Sequence, residues 1–189
     1  MKRFSLLTAL VTVLTLTQTN LTPVQAQINT DKVMAIGCNA LYFEDYVLSI
    51  QYFNQVINAK PHLAEPYFFR AAAKLYLEDY KGAEEDCSKA LGLNAFLVRA
   101  YLCRSYARMS LENYKGAVED CQKGLEFEQD NKVLMQNRAL SELYDKDYTN
   151  AQVSLKELIK RYPNYVYSYM TKTFILTFCL ATVIIIKGI

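Results

Sequence analysis

Apolar and polar positions follow three regimes along this chain. Phe4 to Leu16 and Phe174 to Ile186 are nearly unbroken apolar stretches, whereas the residues between them mix apolar and charged positions with a long period. Tyr46, Tyr80, Tyr114 and Tyr148 stand 34 residues apart, each directly after an acidic or amide residue: Asp45, Asp79, Asn113 and Asp147. Self-similarity at a period of about 20 to 50 residues marks one supersecondary unit stacked on copies of itself, and about 34 is the length of a helix-turn-helix unit. The period predicts four units, 30–63, 64–97, 98–131 and 132–165, with each tyrosine at the seventeenth place.

The other columns test that frame. The eighth place is Gly37, Ala71, Ser105 and Ala139, and the twentieth is Ser49, Ala83, Ala117 and Ala151. Small residues at two facing places let antiparallel helices cross closely. The twelfth place (Leu41, Leu75, Met109, Leu143) and the twenty-eighth (Ile57, Leu91, Leu125, Ile159) supply apolar filling. Asp or Asn before each tyrosine is placed to cap the second helix through a side-chain oxygen. Pro61 and Pro163 cannot continue a helix and close the first and last units.

On these residues the chain resembles the tetratricopeptide repeat family. The strongest matches are Pro66-Tyr67-Phe68-Phe69-Arg70-Ala71 with Asp79-Tyr80-Lys81-Gly82-Ala83, and Tyr101-Leu102-Cys103-Arg104-Ser105 with Asn113-Tyr114-Lys115-Gly116-Ala117. The resemblance covers residues 30 to 165 and departs at the fourth place, where Val33 and Met135 replace an aromatic in the terminal units. It also departs at Ala95 and Gln129, where a proline ends the repeat in the family. It implies an all-α fold: a solenoid of four tandem repeats in a short right-handed superhelix, followed by an apolar C-terminal helix over 166–189. It further implies an inner surface lined by the second, fifth, ninth, twelfth and thirteenth places. Here these include Met34, Leu41, Tyr42, Phe68, Leu75, Tyr76, Leu102, Tyr106, Met109, Gln136, Leu143 and Tyr144. Leucine and tyrosine at helical spacing serve either as core or as a peptide groove, and both readings stand. The basic and amide clamp that some members use for a partner's C-terminal carboxylate is not recognisable, because Asp31, Met34, Glu65 and Phe68 occupy its places.

Charge adds a second ladder. Arg70, Arg104 and Arg138 share the seventh place, and Asp86 and Asp120 the twenty-third. The 18-residue separations predict inter-repeat ion pairs, Asp86 with Arg104 and Asp120 with Arg138, that fix stacking register more than they add stability. The chain has 21 basic and 19 acidic residues, and removing Lys2 and Arg3 leaves it formally neutral, with no basic stripe for nucleic acid.

The two apolar ends read differently from the middle. Lys2 and Arg3, then Phe4 to Leu16, then Val24-Gln25-Ala26 form the three parts of a secretory signal over residues 1–26, which predicts an exported, bacterial-type protein of the periplasm, a lumen or the extracellular space. Thr173 to Ile186 is 14 residues between lysines, short of the roughly 20 that span a bilayer. Three readings of this tail stand: a membrane anchor, a capping helix begun in register as a fifth unit, and the end of a truncated or frame-shifted array. The cysteines, Cys38, Cys87, Cys103, Cys121 and Cys179, are odd in number and show no close pairing. Cys87 and Cys121 share one column, which reads as small apolar packing, with a Cys87 to Cys103 bridge as the alternative.

His62 is the single histidine and sits in a turn, and no phosphate loop, metal spacing or nucleophile elbow is present. The resulting expectation is a non-catalytic scaffold without cofactor or metal that binds a protein or peptide segment on its concave face. The alternatives are a membrane-tethered assembly factor and a fragment of a longer repeat protein.

Overall fold

The computed structural model describes residues 29–165, and these form eight α-helices with no strand among them. They are α1 (Thr30–Tyr42), α2 (Tyr46–Ala59), α3 (Ala64–Tyr76), α4 (Tyr80–Leu93), α5 (Val98–Ser110), α6 (Tyr114–Phe127), α7 (Lys132–Tyr144) and α8 (Tyr148–Arg161). Consecutive helices pack antiparallel in pairs, one pair for each 34-residue unit. The apolar stretches read as a signal and as an anchor or cap lie outside the described residues. No helix among the described residues is long and apolar enough to cross a membrane.

Within each pair the small columns set the approach of the helices. Ala71, Ala83, Ser105, Ala117, Ala139 and Ala151 have no exposed surface, and Gly37 and Ser49 are buried as well. A Cβ at Gly37 would stand 2.8 Å from Cε1 of Phe53, so even alanine would force the first pair apart. Bulk also joins one pair to the next. Phe53 stacks on Phe69 of the next pair at 5.7 Å, and Cys87, in the column of Phe53, shares a core cluster with Cys103 of the next. Both thiols are free and buried, so they pack as apolar residues rather than bridge.

Each pair turns through the same three-residue connection. The residue after the first is left-handed at Glu44, Glu78, Glu112 and Lys146, with φ between 60° and 65°. The amide beyond it reaches back to the first helix, as Asp79 N donates to Lys74 O at 2.9 Å while Glu78 N donates to Leu75 O at 3.1 Å. This closes the orphan carbonyls of the first helix in a Schellman pattern. The following side chain then caps the second helix: Asp45 accepts from Leu48 N, Asp79 from Gly82 N, Asn113 from Gly116 N and Asp147 from Asn150 N.

The pairs stack with a consistent sidedness. First helices α1, α3, α5 and α7 touch the next first helix along the array, whereas α2, α4, α6 and α8 do not touch one another. The array therefore closes on the side of the first helices and opens on the side of the second, which makes the first helices the inner face.

A left-handed residue with a Cβ costs about 1–2 kcal/mol, and glycine returns part of that as lost chain entropy. Glu78→Gly and Glu112→Gly are each expected to stabilise the fold by about 0.5–1 kcal/mol, read as a higher urea midpoint. Glu78→Ala and Glu112→Ala, which keep the Cβ, serve as controls and are expected to gain nothing. An equal gain from alanine would assign the effect to charge rather than backbone.

Candidate functional site

The arginine ladder organises the polar contacts, and its partners differ from the predicted ones. Arg70 binds Asp86 with Nε to Oδ2 at 2.8 Å, and Arg104 binds Asp120 with Nη2 to Oδ1 at 2.6 Å. Asp86 is thus not paired with Arg104, nor Asp120 with Arg138: the ion pairs run within a repeat. The reason is hairpin geometry. Around a turn centred on the fifteenth place, the seventh and twenty-third places lie level on facing helices. The same guanidinium also reaches the preceding repeat, because Arg70 Nη1 donates to Asn54 Oδ1 at 2.6 Å and Arg104 Nη1 to Ser88 Oγ at 3.1 Å. One arginine therefore ties three helices together.

Arg138 completes the ladder with other partners. Its Nε donates to Ser154 Oγ at 3.1 Å and its Nη2 to Glu157 Oε2 at 2.8 Å. Glu142 lies one turn along at 4.0 Å from Nε, buried, with Oε2 lacking any hydrogen-bond donor among the described residues. Burial raises the Glu142 carboxyl above its ordinary range, against the smaller opposing effects of its hydrogen bond with Ser154 and the charge of Arg138.

The twelve residues expected on the inner surface divide by burial. Phe68 and Leu143 are buried, and Leu75 and Leu102 pack half-buried against the core, so these four serve cohesion. Met34, Leu41, Met109 and Gln136 are half-buried. Gln136 is already engaged, since Oε1 accepts from Tyr165 Oη at 2.6 Å. Tyr42, Tyr76, Tyr106 and Tyr144 are 80%, 66%, 49% and 54% exposed and present rings to solvent.

Two of these rings are held by stacking. Tyr76 lies on Tyr46 of the preceding repeat at 4.7 Å and 4°, and Tyr144 on Tyr114 at 5.6 Å and 26°. The same two places between those stacks are Tyr80 and Ser110. A hydroxymethyl group stands where the other rungs have a ring, and Tyr80 has no ring partner among the described residues. Tyrosine rungs thus flank a gap of one ring.

Arg99 is the inner-face residue that the sequence reading passed over. Its guanidinium lies 4.9 Å from the Phe68 ring centre and 5.5 Å from that of Phe69, and its charge is felt at the Cys38 thiol of the first repeat. Among the described residues it makes no ion pair, in contrast to the ladder arginines. The signal was present: the second place reads Asp31, Glu65, Arg99 and Val133, a reversal of sign in one column.

No protein-family model matches the chain, and no curated protein does. Solved structures do. The chain is similar to MamA residues 41 to the end from Desulfovibrio magneticus RS-1, at 16% identity over 72% of this chain and 77% of that one, with a TM-score of 0.68. It is similar to the Arabidopsis OM64 TPR domain, at 29% identity over 59% of this chain and 93% of that one, TM-score 0.58. It is also similar to the first TPR of Spaghetti (RPAP3) bound to the HSP90 peptide SRMEEVD, at 24% identity over 60% and 90%, TM-score 0.60. The architecture of the described residues is that of tetratricopeptide-repeat domains.

Two outcomes follow from the polar contacts. Asp120 accepts from Arg104 and also lies 3.1 Å from Arg108, with its side chain 3% exposed. Asp120→Ala leaves the part-buried Arg104 without its carboxylate and is expected to cost about 3–5 kcal/mol, whereas Arg104→Met with Asp120→Leu retains most of the stability, Arg108 keeping Glu84 in both. Denaturant titration separates the two. For Glu142, a carboxyl with a raised folded pKa stabilises the fold while protonated, and that contribution is lost as pH rises from the unfolded value through the folded one. Glu142→Gln is therefore expected to melt above the parent at neutral pH, with the gap closing near the ordinary glutamate pKa. A gap that does not change with pH would assign the effect to packing.

Proposed function

We propose that this chain is a non-catalytic interaction scaffold whose inner face holds an extended segment of a partner protein outside the cytoplasm. The observation that carries this reading is the pairing of an interrupted tyrosine ladder with a cation that has no counter-ion among the described residues. An aromatic side chain of the partner completes the rung at Tyr80 beside Ser110, and an acidic side chain meets Arg99. Stacking offers rigid contact area at low entropic cost, and the rings are already held by their neighbours, so little ordering is required on binding. The RPAP3 domain's peptide-bound form supports a peptide as the class of ligand for this architecture. The order of basic start, apolar stretch and small-residue site over residues 1–26 supports export.

Selection of a random displayed-peptide library on the full-length chain tests the reading. Recovered sequences are expected to carry an aromatic residue together with Asp or Glu. Ser110→Tyr, which fills the gap from within, is expected to weaken them by about tenfold with unchanged helical content, and Arg99→Glu to remove the acidic preference. Peptides that bind Ser110→Tyr, Arg99→Glu and the parent equally well would place the binding surface elsewhere.

A further inference from the structure

The second helices of successive repeats do not touch, so a groove runs between each pair of them on the outer side, floored by the intervening first helix. In the second and third repeats the chain fills this groove with its own cation at the eleventh place. Lys74 Nζ lies 2.9 Å from Asp86 Oδ2 and donates to Gly82 O at 3.3 Å. Arg108 goes further and stitches α4 to α6: Nε meets Glu84 Oε1 at 2.7 Å, while Nη1 donates to Gly116 O at 3.1 Å and lies 3.1 Å from Asp120 Oδ2.

In the fourth repeat every element of this arrangement changes together. The eleventh place is Glu142 rather than a base, the aspartate is replaced by Ser154, and Val118 stands where Glu84 would. The groove between α6 and α8 is a cavity of about 560 Å³. Five carboxylates line it, those of Glu119, Glu142, Asp145, Asp147 and Glu157, against the cations of Lys115 and Arg138. At its floor Glu142 is 7% exposed, and Oε2 has no donor although the residue lines the open space. A buried carboxylate oxygen without a donor is costly.

We propose that this groove is a docking site for a basic side chain of a protein partner, arginine before lysine, seated where Arg108 sits in the preceding repeat. The acceptors suit a planar, multiply donating cation: Glu142 Oε2 at the floor, the Asn150 carbonyl in the register of Gly116, and the carboxylates of Glu119 and Asp145 at the rim. A metal ion fits less well, because no three acidic, His or Cys side chains converge as a ligand set among the described residues. The site is separate from the inner face, so one scaffold grips two features of its surroundings on opposite sides.

Amide shifts of the isotope-labelled full-length chain provide the test, with Nα-acetyl-arginine amide as the probe. The expected result is saturable shifts confined to the first half of α6, the end of α7 and the start of α8, absent with the neutral citrulline analogue and weaker with the lysine analogue. Glu142→Gln, which removes the charge but keeps the shape, is expected to weaken arginine binding at least about tenfold. Glu142→Arg with Ser154→Asp rebuilds the internal pair of the third repeat and is expected to abolish binding. The proposal is overturned if arginine gives no saturable shift, if citrulline matches it, if Glu142→Gln retains full affinity, or if magnesium chloride saturates the same amides in place of the organic cation.

Discussion

Two helices crossing on contacts between residues no larger than serine or alanine is the constraint from which the rest of the structure follows. Ala71, Ala83, Ser105 and Ala117 are fully buried, so the paired helices meet at these places with little side-chain volume between them. Much of the apolar bulk is gathered at the junction between repeats, where Phe53 meets Phe69 and Leu134 seals against Val98 and Cys121. Cohesion of the array thus rests largely on neighbours, although Leu143 and Leu155 also close a small cluster inside the fourth repeat. Close crossing also dictates the connection. Three residues suffice to join the helices only if one of them is left-handed, and the chain accepts that backbone at Glu44, Glu78, Glu112 and Lys146 without glycine.

The polar lattice follows from the same hairpin. Level places on the two helices bring a guanidinium onto a carboxylate inside each central repeat, and the remaining donor of that guanidinium reaches the repeat before it. Burial makes such pairs poor contributors to net stability but strict about geometry, since a slipped register strands several charges at once. Packing decides that repeats stack, and the arginines decide at which rotation they stop.

Much of this was legible in the sequence because it is written in columns. The 34-residue spacing of tyrosines, the two small-residue columns and the Asp or Asn caps each correspond to a packing or hydrogen-bonding need that recurs in every unit. What was not legible falls into two kinds. The left-handed turn residues carry no sequence signal, because glutamate and lysine stand where the backbone favours glycine. The ion-pair partners were misread because 16-residue and 18-residue separations are both plausible along the chain, and only the level of the turn distinguishes them. The inner-face stripe shows a related limit. Phe68 and Tyr76 belong to the same helical face by periodicity, yet one is buried beneath Arg99 and the other stacks in the open on Tyr46.

Departures from the columns then carry more information than the columns do. A solvent-facing outer surface has reason to be polar, since solubility depends on it. That reasoning accounts for Asp145 and Lys146, which are exposed. It does not account for Glu142, which is buried at the floor of a groove rather than displayed on a surface. Solubility gains nothing from a charge that water scarcely reaches, and stability loses by it. Were the substitution merely neutral drift, Ser154 would still leave Arg138 seeking a carboxylate, and Glu142 would swing to it. Instead Arg138 takes Glu157 at 2.8 Å and leaves Glu142 at 4.0 Å with one oxygen open. The arrangement keeps a preformed acceptor free at the place where the two preceding repeats keep a donor, and its missing element is a cation from outside.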